Sequence, residues 1–213
     1  TYSVSKKQTA CGGFDIIAHL FDMNYFVNSD KYPLQYNVIE AVIKTVVEQL
    51  PIAIEEPTNE AARSGLLWAA SWALNSFCTS GFKTQASLHT LEQFSSIYDL
   101  THGLALAILT PKWMRYVLNK DASVAKDFER FGFNVMHIED QKDAVKNASL
   151  AIDTFQAFII EKLHLPATFT EAGLDTIDIE VLADHALKGA KSMPRAYREL
   201  TREDCIAIYE MCK

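Results

Sequence analysis

Apolar residues recur at spacings of three and four along almost the whole chain, and this helical period is the feature that most constrains its fold. No stretch longer than four residues alternates like a strand, and the weakly periodic residues 164–180 predict a loop. The sequence therefore predicts an all-α protein, with residues 1–213 forming one domain without a coiled-coil heptad. The predicted helices lie at 10–27, 34–50, 58–81, 86–98, 102–119, 121–132, 140–163, 178–187 and 201–211.

Local signals predict where several helices begin and end. Thr201 with Asp204 three residues later is typical of a capping box, and Thr58 before Glu60 predicts a second helix start. Three glycines are predicted to follow helix ends: Gly81, Gly132 and Gly189. The prolines other than Pro111 are predicted to lie at or between helix ends: Pro33, Pro51, Pro57, Pro166 and Pro194. Pro111 is predicted to begin or kink a helix.

Charge and composition argue against several classes of protein. The formal net charge is −7 and the basic residues are scattered, so the chain lacks the basic patch that a nucleic acid would need. No uninterrupted apolar stretch reaches the ~18 residues that span a bilayer. The four cysteines are widely spaced and form no CxxC pair, which predicts reduced thiols in a cytoplasmic protein. They are Cys11, Cys78, Cys205 and Cys212.

The segment FDIIAHLFD places Asp15 and His19 on one face of an otherwise apolar helix. A buried carboxylate needs charge compensation, and a buried imidazole needs partners for both nitrogens. A simple hydrogen-bonded pair is one explanation. The other is a divalent cation, Zn²⁺ or Fe²⁺, bound jointly with His89, which lies near a predicted helix start, and with His102, which opens a strongly apolar helix. The remaining histidines are predicted to be ordinary surface or hydrogen-bonded residues: His137, His164 and His185.

A series of motifs then carries a resemblance to a known family. The opening segment TYSVSKKQTACGGFDIIAHLFDMNYF is followed by ARSGLLWAASWALN, YDLTHGLALAILTPKWMRYV, LHLPATFTEAGLD and LTREDCIAIYEMC. Together they resemble the C-terminal helical domain of the iron-containing (group III) alcohol dehydrogenases, in particular the butanol dehydrogenase branch. The resemblance spans nearly the whole chain and implies the all-α, dehydroquinate synthase-like fold of that domain.

The resemblance also implies metal ligands. The family's ligands fall on Asp15, His19 and His102 within clear local matches. For the fourth ligand, counting forward from WALNSF gives His89, whereas counting backward from His102 gives Leu88. The chain is one residue shorter than the family between these motifs. We take His89, because leucine cannot bind a metal.

A second family histidine, one turn after the ligand, is replaced here by Gln93. The implied function is that of a metal-binding domain in an alcohol dehydrogenase or aldehyde reductase. In that chemistry Fe²⁺ or Zn²⁺ polarises the oxygen of a small alcohol or aldehyde during hydride transfer with NAD or NADP. No Gly-rich phosphate loop follows a strand here, so we expect a preceding nucleotide-binding domain to hold the dinucleotide and this chain alone to be inactive.

Two alternatives from other classes remain open at this stage: a metal-dependent hydrolase and a metal-free helical interaction module. The sequence also leaves a homodimer open. Five aromatic residues near the predicted ligands are candidates for a substrate pocket, although we expect most of them to pack in the core: Phe14, Phe21, Trp72, Phe94 and Tyr98.

Overall fold

Helices carry most of the fold in the computed structural model, which describes residues 1–26, 32–79 and 86–213. The α-helices are α1 (Lys6–Leu20), α2 (Pro33–Glu55), α3 (Glu60–Ala73), α4 (Ser76–Thr79), α5 (Leu88–Leu91), α6 (Phe94–Ile97), α7 (His102–Lys120), α8 (Ala125–Asn134), α9 (Ala144–Ala157), α10 (Ile179–Leu187) and α11 (Arg202–Glu210). Shorter elements are π-helical turns at Phe21–Tyr25 and Phe158–Lys162, a 3-10 turn at Ala122–Val124, and strands β1 (Ser192–Met193) and β2 (Leu200–Thr201). The strands pair antiparallel, with Ser192 opposite Thr201. The all-α prediction is confirmed.

Helix α1 packs against α2, α3 and α7. The Ser5 side chain accepts the backbone N–H of Gln8 and so caps the start of α1. From residue 9 onward, every residue of α1 is buried except Gly12, Asp15 and His19. Spacings of three and four place these residues above one another, so they form one accessible stripe along a helix that is otherwise enclosed.

A close approach of two backbones fixes where α7 begins relative to α1. A Cβ atom built on Gly103 would lie only 2.0 Å from the carbonyl oxygen of Cys11, so no larger residue fits there. Gly103 belongs to the first turn of α7 and directly follows His102. The contact therefore brings His102 to the face of α1 that carries Asp15.

Fully buried aromatic rings hold α1 against α8 and α9. Phe14 stacks on Phe155 with ring centroids 5.8 Å apart, and Phe131 meets Phe155 edge-on at 5.3 Å. Phe21, in the π-helical turn after α1, also meets Phe131 edge-on at 5.3 Å. Such pairs contribute about 0.5–1.5 kcal/mol each beyond the burial of their area. The end of α1 is therefore anchored by the core.

Two predicted helix ends are wrong. Pro51 lies inside α2, which continues to Glu55 because Ala53 and Ile54 are buried in the core. Gly132 lies inside α8. A Cβ there would come within 2.8 Å of the Ala151 side chain, so the glycine serves the contact between α8 and α9 rather than a helix end. Pro111 lies inside α7 and does not begin it, so of the two predicted roles only a kink remains, as a prediction.

Other boundary predictions had mixed outcomes. The capping box at Thr201 and Asp204 is confirmed, and Gly189 follows α10 as predicted. The cap of α3 is Asn59, whose side chain accepts the N–H of Ala62, and not Thr58. The predicted helix at 86–98 is instead the two short helices α5 and α6. The predicted stop at Gly81 lies outside the described residues.

The predicted loop at 164–180 is free of helix and strand as far as residue 178. All four cysteines are buried, and no disulfide forms among the described residues, as predicted. In the ranges that the structure describes, no helix is long and apolar enough to cross a membrane.

Candidate metal centre

The structure brings the four predicted ligands together from three helices. Asp15 and His19 lie on the accessible stripe of α1, His89 lies in α5, and His102 is the first residue of α7. The Oδ1 atom of Asp15 lies at their centre, 3.6 Å from Nε2 of His19, 3.7 Å from Nε2 of His89 and 3.4 Å from Nε2 of His102. Leu88, the alternative to His89, is fully buried in the core.

None of these three contacts meets the geometry of a hydrogen bond. Among the described residues, Asp15 Oδ1 and His89 Nε2 are buried without any hydrogen-bond partner. Two atoms that each lie about 2.1 Å from a tetrahedral zinc ion are roughly 3.4 Å apart, which is close to the separations found here. The spacing and the unpaired atoms fit a cation between the side chains better than they fit a hydrogen-bonded Asp15–His19 pair.

The four residues are not equivalent. Asp15, His89 and His102 offer ligand atoms that all lie within 4.8 Å of one another, and His19 is outside this triple. The His19 ring stacks on His89 with centroids 4.2 Å apart, and its Nδ1 atom is buried without a hydrogen-bond partner among the described residues. His19 therefore lies next to the other predicted ligands through its contacts with Asp15 and His89.

Asp22 holds His89 in place. Its Oδ2 atom lies 2.9 Å from Nδ1 of His89, and its carboxylate also accepts the backbone N–H groups of Leu88 at 2.9 Å and of His89 at 3.4 Å. Because a carboxylate at this distance favours a proton on Nδ1, the proton that a bound cation would displace is the one on Nε2, which faces Asp15. A carboxylate behind a ligating histidine is a common arrangement in metal sites.

Glu92 is the corresponding carboxylate behind His102. The Oε2 atom of Glu92 lies 3.0 Å from Nδ1 of His102, although the contact lacks the geometry of a hydrogen bond. Glu92 is only 4% exposed, so its charge acts in a poorly solvated position. Gln93, at the place of the family's second histidine, donates its side-chain N–H to the carbonyl oxygen of His89.

The ionisable groups at this centre shift one another's pKa values. Burial raises the pKa of Asp15, but the surrounding imidazoles outweigh burial and hold it below its usual value. Burial lowers the pKa of His89, yet the carboxylates on either side raise it to about 9. The pKa of His102 is raised by Glu92, whereas burial and the neighbouring His89 lower the pKa of His19. A cation that binds here would displace protons.

Sequence reasoning missed Asp22 and Glu92, although both left a signal. Asp22 closes the segment FDIIAHLFD and continues the spacing of Asp15 and His19 by three residues. Glu92 follows His89 by three residues. An acid one helical turn from a candidate ligand could have been recognised as a supporting group of the site, although each acid contacts a histidine other than the one it follows.

A cavity of about 290 Å³ opens beside the centre between α1 and α3, and Asp15 and His19 form part of its wall. None of the five aromatic pocket candidates lines it. Core packing is confirmed for three of them: Phe14, Phe21 and Phe94. Tyr98 instead borders a larger open depression of about 810 Å³ near α11, which includes none of the four predicted ligands.

Comparison with known proteins agrees with this architecture. NADH-dependent butanol dehydrogenase B of Clostridium acetobutylicum is 38% identical over 189 residues, covering 88% of this chain and 48% of that protein. NADPH-dependent aldehyde reductase YqhD of Escherichia coli is 26% identical over 215 residues, covering 100% of this chain and 54% of that protein. The crystal structure of NADH-dependent butanol dehydrogenase A from Thermotoga maritima superposes with a TM-score of 0.84 at 28% identity, covering 99% of this chain and 53% of that one.

The chain thus spans about half the length of the relatives it matches. Those relatives are alcohol dehydrogenases and an aldehyde reductase. The sequence model described as "Fe-containing alcohol dehydrogenase family, C-terminal" matches residues 9–212. The chain therefore belongs to the Fe-containing alcohol dehydrogenase family, and it corresponds to the C-terminal domain of that family.

Proposed function

We propose that this chain is the metal-binding domain of a NAD(P)-dependent alcohol dehydrogenase or aldehyde reductase. One observation carries the proposal: the buried Oδ1 atom of Asp15 faces three imidazole nitrogens and makes no hydrogen bond with any of them. Membership of the family supports it, because the named relatives are butanol dehydrogenases and an aldehyde reductase.

Asp15, His19, His89 and His102 would hold the ion. One carboxylate with three imidazoles is a donor set that suits Zn²⁺ or Fe²⁺. When bound, such an ion supplies Lewis-acid chemistry by polarising the oxygen of an alcohol or a carbonyl compound.

The rest of the chain prepares these ligands. Asp22 holds the proton of His89 on Nδ1 and so keeps Nε2 available, while Glu92 places its negative charge beside the ring of His102. The buried residues of α1 exclude water from behind the site. The accessible stripe borders the cavity between α1 and α3, so a substrate can approach from that side.

The dinucleotide belongs, in this proposal, to the part of the relatives that this chain does not match. The described residues contain no parallel strands that could present a phosphate loop, since their only strands are the antiparallel pair β1 and β2. Residues 1–213 would then act as one helical domain beside a nucleotide-binding domain. The buried thiols are consistent with a cytoplasmic enzyme.

Metal binding and catalysis can be tested separately. The purified chain should bind one equivalent of Zn²⁺ or anaerobic Fe²⁺, and His102→Ala should weaken this binding, whereas the control His185→Ala on the exposed face of α10 should not. A longer protein, in which a nucleotide-binding domain precedes these residues, should reduce butanal with NADH or NADPH. Residues 1–213 alone should not.

Three results would contradict the proposal. Metal binding unchanged by His102→Ala would show that the ion does not bind at the four predicted ligands. A longer protein that hydrolyses phosphoesters without oxidising a nicotinamide would favour the hydrolase alternative. A chain that binds no divalent cation at all would favour a helical interaction module.

A further inference from the structure

The cavity between α1 and α3 is continuous with the candidate metal centre. Asp15 and His19 line one end of it. The rest of its wall is mainly aliphatic and includes Ile16 on α1 and Leu66 and Ala70 on α3. A ligand whose polar atom lies at the metal centre would therefore extend its remaining atoms into apolar surroundings.

Gly12 is an unexplained residue in this wall. Glycine inside a helix lowers helix stability relative to alanine, so a structural reason for it is expected. Internal packing gives none: a Cβ built on Gly12 would meet no heavy atom within 4 Å. Gly12 also lies on the accessible stripe, one turn before Asp15. The space that a side chain would occupy is part of the cavity.

The chemistry of the cavity favours a hydrocarbon over a charged ligand. Its one cationic side chain among the described residues is Arg63, which is only 6% exposed. The guanidinium of Arg63 donates to the Thr9 hydroxyl at 2.8 Å and to the carbonyl oxygens of Pro57 and Ala53 at 2.9 and 3.3 Å. The Arg63 guanidinium is thus committed to the fold, and beyond the candidate metal centre no other described side chain of the cavity wall is a lysine or arginine that could bind a phosphate or carboxylate.

The length of the cavity suits an aliphatic chain. Gly12 precedes Asp15 by three residues and His19 by seven, which corresponds to about 5 Å and about 10 Å along the axis of α1. These distances accommodate a chain of several methylene groups extending away from the metal centre.

We infer that this cavity binds the hydrocarbon tail of a linear primary alcohol or aldehyde, and that Gly12 on α1 and Ala70 on α3 set the longest tail that fits. The inference rests on the proposed function, because it places the substrate oxygen at the four predicted ligands. It adds that residues of this cavity, and not the four predicted ligands, select among substrates of different chain length. A larger side chain at either position shortens the accepted tail without touching the ligands.

The test compares alcohols of increasing length with the longer, metal-loaded enzyme that contains this domain. Gly12→Leu and Ala70→Leu fill the cavity from opposite walls, and Ser64→Leu adds the same side chain at an exposed position of α3 outside the cavity. For both cavity variants, kcat/KM should fall by about fourfold for each methylene that is displaced, while ethanol is affected least. Ser64→Leu should keep the wild-type dependence on chain length.

The outcomes separate this inference from the function on which it rests. An active wild type whose two cavity variants lose the same factor for every alcohol, or lose nothing, would overturn the tail-binding cavity and leave the function intact. A wild type without activity on any alcohol or aldehyde would overturn the function itself. Circular dichroism would reveal a variant that fails to fold. Because Gly12→Leu and Ala70→Leu change opposite walls of the cavity, the other variant would then still test the inference.

Discussion

The sharpest structural prediction concerns Gly103→Ala. Real Cβ atoms essentially never approach another atom closer than 3.0 Å, yet a Cβ at Gly103 would lie 2.0 Å from the carbonyl oxygen of Cys11. Because that oxygen is backbone, α1 and α7 must separate by about 1 Å. Forcing extra volume into a packed interior typically costs about 1–3 kcal/mol, and we expect the free energy of unfolding to fall by at least that much.

The same displacement should reach the candidate metal centre. Metal sites tolerate deviations of about 0.2 Å in ligand distances, so a shift of about 1 Å between Asp15 on α1 and His102 on α7 should weaken Zn²⁺ binding by at least tenfold. Gly12→Ala is the matched control, because its new methyl group meets no neighbour. It should raise the free energy of unfolding by about 0.5–1 kcal/mol and leave Zn²⁺ affinity unchanged.

Urea denaturation and competition with a chromogenic zinc chelator measure the two quantities. The reasoning is wrong if Gly103→Ala unfolds at the same urea concentration as the wild type and competes equally well for Zn²⁺. A loss of stability with full Zn²⁺ affinity would refute only the link between the helix crossing and the site.

Further predictions concern individual side chains. His19→Ala and His89→Ala should each remove most of the rise in melting temperature that Zn²⁺ produces, because their Nε2 atoms are nearly equidistant from the central carboxylate; full retention in either variant would exclude that residue. Asp22→Ala should abolish the downfield NMR resonance of the Nδ1 proton of His89, and a resonance that persists would contradict the hydrogen bond. Burial raises the pKa of Asp204, but hydrogen bonds and a neighbouring lysine hold it below its usual value, so its contribution to stability should be present above about pH 4 and lost as the pH falls through the folded-state pKa. Asp204→Asn should flatten this dependence in acid denaturation, and an unchanged profile would refute it.

The spacing of residues along the sequence was sufficient to predict the fold class and the first two candidate ligands. The helical period requires no knowledge of tertiary contacts, and Asp15 and His19 lie four residues apart in one helix, so local geometry is sufficient. His89 and His102 come from other helices. Their approach to Asp15 depends on tertiary packing, so their sequence contexts left a hydrogen-bonded Asp15–His19 pair open as the alternative, and the resemblance to a family favoured the shared site.

What the sequence did not reveal depends on contacts between distant segments. Nothing near Gly103 indicates that the Cys11 carbonyl lies against it, and the position of Gly132 looks like a helix end until α9 is placed beside it. The supporting role of Asp22 requires α5 to begin at its carboxylate, 66 residues later in the chain. At Pro51 the sequence signal was strong but misleading. The proline predicted a helix end, yet α2 continues past it because the residues that follow are buried in the core.

The accessible stripe of α1 has a consequence for how such a protein could change under selection. Almost every other position on the second half of this helix is buried in the core, and under the proposed function Asp15 and His19 hold the ion. Gly12 alone on that surface is neither packed nor reactive. New substrate preferences could therefore arise by single substitutions there without a stabilising mutation elsewhere. A laboratory selection for altered chain length should recover changes at this codon early and repeatedly.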